Sequence, residues 1–119
     1  MISSSKVISY WEEQNKGRKE TIIEHWIQEV DPSKIIGINF PYKYPEILED
    51  QKMKNLKEKI KSASDWDMCD QYAVKLCLLK FPDGTMVVTQ NGNHRAVLAK
   101  ELKVPIIKAK VHEIVYTDD

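Results

Sequence analysis

Near the start of the chain, apolar positions recur at helical spacing. Ile22, Ile23, Trp26, Ile27 and Val30 step by three and four residues and form one stripe. With the smaller cluster Val7, Ile8, Tyr10 and Trp11 upstream, this pattern predicts helix over about residues 5–30, divided by a break at Asn15-Lys16-Gly17. The stripe is assigned to the core, because an amphipathic helix buries its apolar face. Asp31-Pro32 ends the run, residues 35–40 read as a short strand, and residues 41–45 as a rigid proline loop. A second helix is predicted over 45–62, with Pro45 at its first position and Ile47, Leu48, Met53, Leu56 and Ile60 inward. Its lysines, among them Lys52 and Lys57, spread around the helix and read as solvated surface.

The period then changes from helical to alternating. Residues 72–81 place Val74, Leu76 and Leu78 on one face, and with residues 85–90 they form a hairpin through Pro82-Asp83-Gly84. A run of helix formers from Ala96 to Leu102 is stopped by Val104-Pro105, and residues 105–115 give the cleanest strand. There Ile107, Ala109 and Val111 face one way and Lys108, Lys110 and His112 the other. The basic stripe fits an exposed edge guarded by lysines, with a phosphate-facing surface as the alternative. Helix, strand, helix, hairpin, helix and strand in that order predict an α+β domain with a small mixed sheet and packed helices. Residues 1–119 form a single domain, with a mostly helical part at 1–62 and the hairpin, loop, helix and strand at 71–116.

Composition narrows the function classes. Lys plus Arg and Asp plus Glu each number 18, so the net charge is zero, and each half of the chain is balanced on its own. A general nucleic-acid binder concentrates basic charge, so DNA is a disfavoured partner. Cys69 and Cys77 are too far apart for a Cys-x-x-Cys pair, and three scattered histidines have no metal-ligand spacing, so no metal site is assigned. Cys77 falls in an apolar strand and reads as a small buried hydrophobe. No leader-like core or membrane-length apolar run is present, and a cytoplasmic protein with no membrane contact is expected.

The candidate chemistry lies in Asn91-Gly92-Asn93-His94-Arg95, between the second hairpin strand and the following helix. A strand that delivers a glycine-containing loop into a helix start exposes backbone N–H groups, and the helix dipole adds to their attraction for an anion. His94 and Arg95 would lie in the first turn, where a cation is better placed if an anion joins it. The plainer alternative makes Asn93 an N-cap, Gly92 a turn residue and Arg95 the partner of one of the chain's own acids. Residues 64–70 form a polar loop in which Asp65, Asp67 and Asp70 are the nearest candidates for a base or cation ligand, and Trp66 a candidate pocket wall.

The block at 83–99, with Gly92-Asn93-His94-Arg95 inside it, and the Val104-Pro105 turn into residues 106–111 together resemble the core of the ParB/sulfiredoxin superfamily. That resemblance covers the C-terminal third. It implies a ParB/sulfiredoxin-like fold from a bacterium or phage, in which Gly92, Asn93, His94 and Arg95 face the phosphates of a nucleotide or phosphate ester. His94 would then be the candidate catalytic acid or base, and the cofactor a nucleotide with or without Mg2+. Sulfiredoxins carry a nucleophilic cysteine where this chain has Asn93, so sulfinic acid reduction is not expected. ParB proteins extend into a helix-turn-helix region that this chain does not show, which disfavours DNA binding or nuclease activity. The alternative of a different class is a non-catalytic protein-binding module, such as an immunity or accessory protein, anchored by Trp11, Tyr42, Tyr44 or Trp66.

Overall fold

Six strands assemble into one mixed sheet in a computed structural model that describes residues 1–66 and 75–117. In chain order the elements are β1 (Ile2–Ser3), α1 (Ser4–Gln14), β2 (Glu20–Val30), β3 (Ile35–Ile38), α2 (Gln51–Lys59), β4 (Cys77–Lys80), β5 (Met86–Val88), α3 (Asn93–Glu101) and β6 (Ile107–Tyr116). Across the sheet the order is β1-β3-β5-β4-β6-β2. The β5/β4 and β6/β2 pairs are antiparallel, the rest parallel. The α+β class expected from the sequence is therefore what the chain adopts.

Alternation along the strands divides the core between the two faces of the sheet. In β5, Met86 and Val88 join a large cluster with Met53, Leu98, Ala109 and Val111, while Val87 between them joins Val7, Phe81 and Ile114. Thus α2 and α3 cover one face and α1 the other. Trp11 of α1 stacks on Phe81 with ring centroids 5.1 Å apart. The β4–β5 hairpin forms where its turn residues predict, with the Phe81 N–H donating to Thr85 O and Gly84 at φ 91°.

Three sequence expectations change. The helix predicted over 5–30 stops at Gln14, and residues 20–30 are strand β2, with Ile22, Ile23, Trp26 and Ile27 exposed instead of forming a core stripe. The segment is dense in β-branched and aromatic residues, and β6 supplies its backbone partners, which overrides the helical spacing. The helix predicted from Pro45 is a 3-10 turn at Glu46–Glu49 followed by α2, which starts after Asp50. Asp50 accepts a hydrogen bond from the Met53 N–H at 2.8 Å and is the true N-cap. Finally, β6 is not an edge; it is flanked by β4 and β2. Of the strand predicted over 72–81, residues 77–80 are β4, and residues 72–74 lie outside the described ones.

Candidate functional site

The site is set by how α3 begins. Gly92 is its N-cap, at φ 99° and ψ 13°, a left-handed conformation. A Cβ at Gly92 would lie 2.6–2.8 Å from Leu76 and the Lys75 carbonyl oxygen. Glycine is thus required by the close passage of the chain entering β4, and the space expected for a ligand at its α-carbon is filled by protein. The N–H groups of a first helical turn have no intrahelical partner, and Gly92 brings no side chain to cap them.

Asn93 corrects the capping expectation. It is the first residue of α3, 5% exposed, and its Oδ1 accepts from the Asn39 N–H at 2.6 Å. Asn39 in turn donates through Nδ2 to the Thr89 carbonyl. The amide oxygen of Asn93 is therefore spent on tying α3 to the ends of β3 and β5, not on its own helix.

His94 points to the start of α2. Its Nε2 lies 2.8 Å from Asp50 Oδ2 and 3.0 Å from Oδ1, and its ring meets Tyr42 edge-on with centroids 4.6 Å apart. Lys52 Nζ donates to the Tyr42 hydroxyl at 2.8 Å. With Nε2 turned to a carboxylate, the neutral ring carries its proton there and leaves Nδ1 as the acceptor. Residues 91–95, with Lys52, Leu56 and Lys75, line a cleft of about 400 Å³. Hence His94 and Arg95 stand in the first turn of a helix, as expected, and the surface beside them is concave. Among the described residues lining it there is no carboxylate, and three are cationic: Lys52, Lys75 and Arg95.

Asp50 and Lys75 were not among the candidates from sequence; Tyr42 was one only as an interface anchor, and Lys52 was read as solvated surface. Asp50 did carry a signal, an N-cap residue directly ahead of a run of helix formers, but Pro45 competed as the helix start. Trp66 is 5% exposed and belongs to the core, which removes it as pocket wall and as interface anchor. Asp65 accepts from the Lys61 and Ser62 N–H groups at 2.9 and 3.1 Å and so closes its own turn. Asp67, Asp70 and Cys69 lie outside the described residues. Among the described residues no three His, Cys, Asp or Glu are grouped to hold a metal, and no helix is long and apolar enough to cross a membrane.

Burial pushes the Asp50 carboxyl upward, but its bond to His94, the Met53 N–H and the charge of Lys52 together hold it below the ordinary value of 3.8. A carboxyl depressed by folding stabilises the fold fully above its unfolded value, and that contribution is lost as pH falls through the folded value. Asp50→Asn, which keeps an N-cap but not the titration, should therefore flatten the loss of stability below pH 3.8. Urea denaturation of both proteins across the acid range checks this; parallel curves would show that Asp50 contributes no pH-dependent stability.

No family model, curated protein or solved structure matches the chain.

Proposed function

We propose that the cleft at the start of α3 binds the phosphate of a nucleotide or phosphate ester, in a domain of the ParB/sulfiredoxin-like kind. The observation that carries this reading is the cleft's lining. Lys52, Lys75 and Arg95 line the cleft around the first turn of α3, together with the glycine-capped helix start. The Arg95 guanidinium matches phosphate oxygens through a fork of donors, and the backbone N–H groups of the first turn add neutral donors. Within this reading Asp50 orients the His94 ring, and His94 is the group that moves a proton to or from the bound ligand.

Calorimetric titration with a panel of nucleotides, with and without Mg2+, tests the reading. Arg95→Ala should weaken binding by roughly 1.5–3 kcal/mol, the range for a charge-assisted hydrogen bond. Lys57→Ala, an exposed position on α2 that does not line the cleft, should leave it unchanged. Absence of binding at millimolar nucleotide, or an Arg95→Ala protein that binds like the parent, would remove the phosphate reading.

A further inference from the structure

Among the described residues strand β2 ends the sheet, paired only with β6, and it is 11 residues long. Ile22, Ile23, Trp26 and Ile27 on it are 45%, 43%, 62% and 53% exposed. An edge strand turns alternate N–H and C=O groups outward, and proteins commonly guard such edges with charged side chains, proline or bulges. Residues 20–25 contain no lysine, proline or bulge, and their charged residues are Glu20 and Glu24 alone. The pairing with β6 shifts by one residue between His25 and Gln28, so the bulge begins after His25 and leaves residues 20–25 as the regular stretch. Unmet backbone groups beside apolar side chains call for another strand, which is the chemistry of sheet extension.

We propose that β2 pairs antiparallel with β2 of a second copy of this chain, about a twofold axis at Ile23. The axis stands perpendicular to the extended sheet, so each residue meets a partner on its own face. Ile23 then lies opposite Ile23, Ile22 opposite Glu24, Thr21 opposite His25, and Glu20 opposite Trp26. No carboxylate faces a carboxylate in this register. An axis at Ile22 would set Glu20 against Glu24, and one at Glu24 would set that carboxylate against itself; like charges directly opposite are destabilising. The chosen register also brings Glu20 of one copy over Trp26 of the other. Lys110 Nζ sits 4.7 Å from the Trp26 ring centroid and 3.1 Å from Glu24 Oε1 of its own strand pair, so Glu20 of the second copy joins an existing ion pair at each end of the pairing. A twofold contact makes every favourable pair twice. This self-complementarity identifies the occupant as a second copy, and the inference uses no residue of the phosphate cleft.

Sedimentation velocity on the full chain across the micromolar range should show a concentration-dependent dimer. Ile23→Lys puts two ammonium groups side by side at the axis and should raise the dissociation constant roughly tenfold or more. The position is exposed, and circular dichroism confirms that the variant folds. Under mild oxidation Ile23→Cys should give a disulfide-linked dimer beyond the background of the parent's own thiols, because directly opposed cross-strand positions bring their β-carbons within bonding reach. Ile27→Cys, past the regular stretch, should not. A parent that stays monomeric, a dimer indifferent to Ile23→Lys, or equal cross-linking at both positions would overturn the proposal.

Discussion

Gly92→Ala should lose roughly 2–5 kcal/mol of folding stability, whereas Gly84→Ala should lose about 1–2 kcal/mol. Both glycines have positive φ, 99° and 91°, so both substitutions force a side chain into a left-handed backbone. They differ in what surrounds them. A Cβ at Gly84 meets nothing within 4 Å, while one at Gly92 lands 2.6 Å from Leu76 Cδ1 and 2.7 Å from its α-carbon. A flexible side-chain tip can move aside, but a backbone atom cannot without shifting the junction of β4 and α3. The larger loss is a sizeable part of the 5–15 kcal/mol, roughly, that holds a domain folded. Urea denaturation of the two variants side by side measures the difference. Equal losses would mean that α3 does not begin against Leu76, and the cleft's geometry would have to be redrawn.

Asn93→Asp should keep the fold and weaken phosphate binding roughly 100-fold. The carboxylate still accepts from the Asn39 N–H, and negative charge at a helix start is favourable. It opposes the bound anion, however. Two unit charges about 5 Å apart at an effective dielectric of about 20 interact by roughly 3 kcal/mol, which sets that factor. Asn93→Ala should do the reverse. It leaves the Asn39 N–H without its acceptor and costs about 1–3 kcal/mol of stability, with a smaller effect on the ligand. Thermal denaturation and nucleotide titration on the same two proteins separate the outcomes. Undiminished binding in Asn93→Asp would show that no anion sits at the start of α3.

The parts of the fold that were legible in sequence are those with local, single-cause signals. The Phe81-Pro82-Asp83-Gly84 turn requires a hairpin, α3 follows its glycine loop, and Ile107, Ala109 and Val111 are buried as their alternation demands. Strand β2 was hidden by its bulge. One inserted residue changes the phase of the alternation, so Ile23 and Val30, seven apart, both fall on the face shared with Glu113 and Ile107 of β6. Seven is also two turns of helix, and the two structures become indistinguishable by spacing. At the site, the loop at 91–95 was legible because it is contiguous. Its partners Asp50 and Tyr42 were not, because they reach His94 across 44 and 52 positions of chain, and only the packed fold brings them together.

The contact between Asp50 and His94 has an electrostatic consequence beyond the two side chains. Asp50 caps α2, and His94 is the second residue of α3, so their 2.8 Å contact brings the amino ends of two helices close together. Each helix carries a partial positive charge of about half a proton at that end. The two fields add where they meet, the carboxylate of Asp50 offsets part of them, and Lys52, Lys75 and Arg95 line the same cleft. These contributions are local, on a chain whose net charge is zero. If the cleft takes a phosphate, they would raise its rate of arrival as well as its affinity, and added salt would shorten their reach. Neutrality over the whole molecule is thus no measure of the charge met at one point of its surface.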